Sequence, residues 1–200
     1  NIREILARDM IGKIFHIEID FMLFLDQKMQ CYNWCSQKEK GGSILIQSGC
    51  HAIDALCCFV EKPIQEVVAF SSKNRSDFDH PTTYTILLHF EDGATGKILC
   101  TYDARNPYIF DINIYGEKGS LRKNQLFCKD VFPGQIGWIT IPSILPDTEN
   151  VEHHPFPQMV NYFVDCILQD KEASPNIEDG MKVFEIIEAA ERSANQNGRP

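Results

Sequence analysis

The chain of 200 residues has no G-x-G-x-x-G turn. It therefore lacks the glycine-rich backbone cradle that holds a dinucleotide pyrophosphate at a helix N-terminus. It has no C-x-x-C pair, and no paired histidines lie near its cysteines, which argues against a zinc site. Positive charge is scarce. Against 28 Asp and Glu there are 19 Lys and Arg, a formal net charge of -9. Nucleic acid demands a basic stripe, so it is excluded as a partner. The longest apolar runs are broken by charges well short of a bilayer span, so no transmembrane helix and no membrane partner is expected. No signal peptide, internal repeat, low-complexity tract or internal linker is visible.

What the chain does have is length for one domain with a sizeable core, and eight cysteines at positions 31, 35, 50, 57, 58, 100, 128 and 166. Most sit among apolar neighbours, where a free thiol behaves as a small hydrophobe. Scattered, unpaired spacing suits a reducing compartment, so a cytoplasmic location is expected.

Period-two alternation predicts a long strand from Lys13 to Leu25, with Phe15, Ile17 and Ile19 set against His16, Glu18 and Asp20. A polar loop from Asp26 to Lys40 follows. Further strands are predicted over Ile64 to Ser72, Tyr84 to Phe90, Lys97 to Tyr102, Ile109 to Tyr115, Ser120 to Arg122, Leu126 to Val131 and Trp138 to Ile141. Glu91-Asp92-Gly93 reads as a hairpin turn whose glycine supplies positive φ. Two helices close the chain. Met159, Phe163, Cys166 and Ile167 give the first an apolar face. The second starts at the capping-box-like Asn176-x-x-Asp179 and keeps Val183, Ile186, Ile187 and Ala190 in helical spacing. The whole is α+β with a mostly antiparallel sheet.

The most informative segment is GGSILIQSGCHAIDALCCF, from Gly41 to Phe59. At about 100° per residue, Gln47, His51, Asp54 and Cys58 fall on one stripe of a helix, opposite Ile53, Leu56, Cys57 and Val60. That stripe is either a site wall or simply the wet face of a surface helix.

This segment resembles the helix carrying GG-x-L-x-D-x-G-x-H-x-x-D in the C-terminal domain of the Gfo/Idh/MocA oxidoreductases. Ile11-Gly12-Lys13-Ile14 resembles the start of that domain's first strand. HFEDGATGKI from His89 and YGEKGSL from Tyr115 resemble its mid-sheet motifs, and PNIEDGMKVFEIIEAAERSANQNG from Pro175 resembles its closing helix. The matches run in order along nearly the whole chain. The resemblance implies a large, mostly antiparallel open sheet with helices packed on one face. It also implies one substrate-binding and oligomerisation domain over 1–200, the C-terminal part of a longer two-domain enzyme. NAD or NADP then belongs to the full-length protein, with its main site in a preceding Rossmann domain, and none is expected on this chain. A homodimer or homotetramer through the sheet face is implied too.

By the same resemblance His51 stands at the catalytic histidine. Imidazole suits proton removal from a hydroxyl because its ordinary pKa of about 6.5 lies near working pH. Gln47 stands where many relatives carry aspartate; an amide can bind a sugar hydroxyl but carries no charge. Asp54 reads as a local hydrogen-bonder beside the substrate. Trp34 resembles a position near nicotinamide and sugar. Arg105 with Asn106, and His153 with His154, are further candidates for substrate contact. Glu61-Lys62-Pro63 copies a catalytic tripeptide of the family's Rossmann domain, but at a place where the chain merely turns. Three classes stay open: an NAD(P)-dependent oxidoreductase of a sugar, cyclitol or related polyol, a redox-neutral glycoside-cleaving relative, and a non-catalytic sensor or scaffold.

Overall fold

The computed structural model describes residues 1–142 and 155–200. Short α1 (Ile2–Ala7) leads into β1 (Ile14–Met22). Two single helical turns follow, α2 (Tyr32–Cys35) and α3 (Lys38–Gly41). A π-helical turn (Leu45–Gly49) then runs straight into α4 (Cys50–Phe59). Next come β2 (Ile64–Ser72), β3 (Thr83–Phe90), β4 (Thr95–Thr101), β5 (Ile109–Gly116), β6 (Ser120–Arg122), β7 (Gln125–Phe127) and β8 (Ile139–Thr140). The chain closes with α5 (Phe156–Leu168) and α6 (Ile177–Asn195).

The strands form one open sheet of eight, in the order β2-β3-β4-β1-β5-β6-β7-β8. Only β1 and β4 pair in parallel among the described strands. That pairing needs a long crossover, and the crossover carries the π-turn and α4. Alternation in β1 puts Ile17, Ile19 and Phe21 on the core face, with Ile86 and Leu88 of β3, Ile98 and Cys100 of β4 and Ile114 of β5. Ala52, Ile53 and Leu56 of α4 are buried in the same core. An 18-residue window within Lys38–Phe59 has a mean hydropathy of 1.2, enough to match a membrane span by length and composition alone. Here its apolar side packs on the sheet.

The capping box of α6 is present as expected, with Asn176 Oδ1 accepting from the amide of Asp179 at 3.0 Å. Val183, Ile186, Ile187 and Ala190 are buried. One turn further on, the Ser193 hydroxyl accepts from the amide of Ala69 at 2.9 Å, giving the edge strand β2 a partner from the helix. Gly93 takes φ +86° in the hairpin turn, as its sequence predicts.

Several expectations need correction. The first strand is shorter than Lys13–Leu25, because beyond Met22 only an isolated bridge, Phe24 to Asp103, continues the pairing. The expected loop from Asp26 contains α2 and α3. The strands expected at Leu126–Val131 and Trp138–Ile141 shrink to β7 and β8. In α5 the helix is present, but only Cys166 of its expected apolar face is buried, while Met159, Phe163 and Ile167 are each more than half exposed.

Candidate functional site

The candidate site lies where the C-terminal end of β1 meets the first turn of α4. His51 is exposed, and its ring stacks on Phe21, with centroids 6.4 Å apart and 29° between the planes. Register places Phe110 of β5 directly opposite Phe21. Phe21 also receives the edges of Tyr108, at 5.4 Å, and Phe110, at 6.2 Å. These spacings are those of favourable aromatic pairs. Burial pushes the Tyr108 phenol upward, so it stays protonated and able to donate. An imidazole at the edge of a three-ring aromatic floor can take a proton from a hydroxyl resting there.

The π-turn lies within the stripe expected on the helix and ends just before His51. Gly49 closes that turn onto β4: a Cβ there would meet Leu45 Cδ2 at 2.9 Å and the Cys100 sulfur at 3.3 Å. Ser48 is tied to Tyr102 through their hydroxyls, 2.5 Å apart. Gln47 turns its side-chain amide toward the preceding loop. Its Nε2 donates to the carbonyls of Cys35, at 3.1 Å, and Gly42, at 2.9 Å.

Asp54 stays close enough to His51 for the imidazole charge to act on it. Burial raises its carboxyl pKa and Asp179 adds to the rise, while His51 and Arg3 oppose it. It lines a cavity of about 750 Å³ with Arg3, Lys62, Asp179 and Lys182 between α1, α4 and α6. Lys62 thus sits in that cleft and not beside the Phe21 floor. Burial also drives the Cys57 thiol of the same cleft up to about 11, which leaves it protonated.

Trp34 is 59% exposed, at the mouth of the loop that Gln47 ties down. Arg105 lies over the ring of Phe24, its guanidinium 4.1 Å from the centroid, in a neighbouring cleft. Arg75 lies over the same ring at 4.7 Å. Arg75 is anchored by Asp77 Oδ2 at 2.6 Å and the Leu25 carbonyl at 2.7 Å, and it holds the Asp77 carboxyl far below the usual range. Asn106 bonds back to the Pro107 carbonyl at 2.7 Å. His153 and His154 lie outside the described residues.

The structure thus brings His51 and Asp54 together, brings Gln47 to the Trp34 loop, and leaves Arg105 in its own cleft. Sequence reading missed Phe21, Tyr108 and Phe110. Phe21 and Phe110 read as ordinary strand residues and Tyr108 falls just before a strand, and only the register of β1 against β5 joins them under His51. All eight thiols are free. No cluster of three or more metal-ligating side chains occurs among the described residues.

Residues 1–122 match the sequence profile of the GFO/IDH/MocA C-terminal domain. The chain belongs to that family. No curated protein sequence matches it. Among solved structures, an oxidoreductase domain protein from Kribbella flavida superposes with a TM-score of 0.80 at 22% identity, covering 100% of this chain and 62% of that one. Levoglucosan dehydrogenase in complex with NADH and levoglucosan gives 0.81 at 20% identity, covering 100% and 62%. The WlbA dehydrogenase from Bordetella pertussis, in complex with NADH and UDP-GlcNAcA, gives 0.78 at 19% identity, covering 100% and 60%. At such identities these likenesses establish the fold. The Gfo/Idh/MocA domain described here therefore spans about three-fifths of the length of those chains.

Neither the paired glycines nor the start of α6 offers the free amides of a pyrophosphate cradle. The amides of Gly41 and Gly42 are bonded to the carbonyls of Gln37 and Lys38. The helix α4 continues from the π-turn that starts at Leu45, and α6 carries Glu178 and Asp179 in its first turn, where they repel an anion.

Proposed function

We propose that this domain is the substrate-binding and oligomerisation part of an NAD(P)-dependent oxidoreductase acting on a CH–OH group of a sugar, cyclitol or related polyol. The observation that carries the reading is His51 stacked on Phe21 at an aromatic floor, within a fold shared with levoglucosan dehydrogenase and WlbA. The nicotinamide cofactor, NAD or NADP, belongs to a separate dinucleotide-binding domain. What falls to this chain is to seat a neutral polyol on Phe21, Tyr108 and Phe110 and to take its hydroxyl proton at His51. Asp54, one turn along, stabilises the imidazolium electrostatically. Trp34 extends the contacts outward, and Arg105 offers a polar contact from its neighbouring cleft. The full-length protein works as a cytoplasmic homodimer or homotetramer paired through the open sheet face.

The test is to supply the full-length protein with NAD or NADP and a panel of sugars, cyclitols and their glycosides, and to follow the ultraviolet absorbance of reduced nicotinamide. Accumulation with a free polyol supports oxidation. Glycoside cleavage without accumulation marks the redox-neutral relative. A second reading, a non-catalytic sensor or scaffold, is favoured by one observation: Gln47 directs its amide into the fold where relatives place a carboxylate. Neither oxidation nor cleavage with any member of the panel would decide for it.

A further inference from the structure

The carbonyl of Cys35 accepts from two side chains that are remote in sequence, Gln47 Nε2 at 3.1 Å and His80 Nε2 at 2.9 Å. A carbonyl can only accept, and Nδ1 of His80 also faces one, that of Pro81 at 3.0 Å, so the bond to Cys35 is made when the hydrogen is on Nε2. His80 is buried, at 2% exposure. The other Gln47 hydrogen reaches the Gly42 carbonyl at 2.9 Å, so one amide bridges both ends of the segment from Cys35 to Gly42. The space inside that bridge is full. A Cβ on Gly41 would stand 2.8 Å from Gln47 Nε2, 2.9 Å from the Trp34 carbonyl and 3.0 Å from Trp34 Cδ1. Gly41 thus lies against both the backbone and the indole edge of Trp34, while most of the Trp34 surface faces solvent.

We propose that Gln47 and His80 are positioning residues whose joint hold on the Cys35 carbonyl fixes Trp34 as a rigid apolar platform at the rim of the site. An indole held in this way recognises the C–H face of a neutral ring. That choice of ligand rests on the function proposed above, but the clamp does not. Gln47 is consequently not a weakened copy of an acidic substrate-binding residue. A carboxylate in its place would set its charge against two carbonyl oxygens and donate to neither. Its own Oε1 is buried and has no hydrogen-bond partner, so the donors are what the fold uses.

The experiment uses the two tryptophans of the chain, Trp34 and Trp138. In a Trp138→Phe background, Trp34 emission is read by iodide quenching and anisotropy, alongside thermal melting. Gln47→Glu keeps the shape and removes both donors at neutral pH. Loss of two ordinary hydrogen bonds raises the loosened population of the loop about tenfold. Quenching then rises and anisotropy falls while the melt of the rest is retained. Acid restores one donor as the carboxyl protonates, with a midpoint above the ordinary value of about 4.3 because burial and the two carbonyls disfavour the anion. The parent protein over the same pH range supplies the baseline. Gln47→Met and His80→Ala give the loosening without the acid recovery.

Unchanged Trp34 signals in folded Gln47→Glu, Gln47→Met and His80→Ala would overturn the proposal. So would a collapse of the whole melt in all three, which makes these residues part of the general fold. Failure of every polyol in the activity panel, with the Trp34 result intact, would instead remove the proposed function and leave the clamp.

Discussion

His51 lies on Phe21, with ring centroids 6.4 Å apart, and the two residues come from a helix and a strand that no local pattern connects. The strand residue is buried and the helix residue is exposed. Chemistry and stability are therefore divided between them, and substitutions should separate the two.

In the full-length protein, His51→Ala is expected to lower turnover by about 10²–10⁴-fold, the usual cost of losing a general base. An exposed side chain contributes little to folding, so the thermal melt should shift by no more than roughly 0.5 kcal/mol equivalent. Phe21→Ala should do the reverse first, costing about 3–5 kcal/mol of stability as a buried aromatic is truncated. Kinetics and melts on both variants check this division. Wild-type turnover in His51→Ala would show the histidine to be structural.

The sheet, the hairpin glycine and the capping box of α6 were legible in the sequence because each depends on neighbours two to four residues apart. Ile17 and Ile19 alternate with Glu18 and Asp20, although Phe15 of the same pattern is 53% exposed, and Asn176 faces Asp179 across one turn. The site was legible only in part. A constant helical angle put Gln47 in line with His51, but no residue pattern announced the π-turn at Leu45–Gly49 or the bonds that commit the Gln47 amide to the Cys35 and Gly42 carbonyls. The floor under His51 depends on the pairing of Phe21 with Phe110, residues 89 positions apart in numbering, and such register is set by the whole sheet. The exposed face of α5 misled for another reason. Its period is truly helical, but periodicity says that a face is apolar and not what covers it.

Asp54→Asn should stabilise the chain at neutral pH. The Asp54 carboxyl is raised chiefly by burial, and its raised value gives the sign. A group raised in the folded state contributes stability below its unfolded value, about 3.9, and loses that contribution as pH rises through the folded value. At neutral pH the buried carboxylate is therefore a burden, which the amide removes. Melting curves for both proteins should differ most near neutrality and converge below pH about 3.9. A variant less stable than its parent at pH 7 would mean that the carboxylate gains more from His51 and Arg3 than burial takes from it.

The open face of the sheet should mediate self-association. Val68, Leu87, Leu99 and Ile109 share that face with His16, Glu18 and Asp20. Leu87 is 50% exposed, and Lys97 pairs with Asp20 at 3.1 Å beside it. Apolar side chains ringed by paired charges are the usual make-up of an interface. Sedimentation at tens of micromolar is expected to show a dimer or larger species, and Leu87→Glu should shift it toward monomer. A strictly monomeric parent protein would exclude this face as a working interface.

The chain alone should not bind NAD(H) or NADP(H) at micromolar concentration. A pyrophosphate needs several converging backbone N–H groups at a helix start, together with a turn that lets the backbone approach. The paired glycines and the start of α6 are already committed. Gly42 has positive φ, +76°, but its amide is bonded to the Lys38 carbonyl. In α6 the amide of Asp179 is taken by the Asn176 side chain, and the acidic residues of the first turn oppose a dianion. A micromolar complex would require about 8 kcal/mol of binding free energy, and none of these sites offers donors for it. Calorimetry with each dinucleotide should therefore give no saturable heat. A dissociation constant in the micromolar range for any of them would show that this domain carries a cofactor site of its own, and would return the first turns of α4 and α6 to the list of places to look for it.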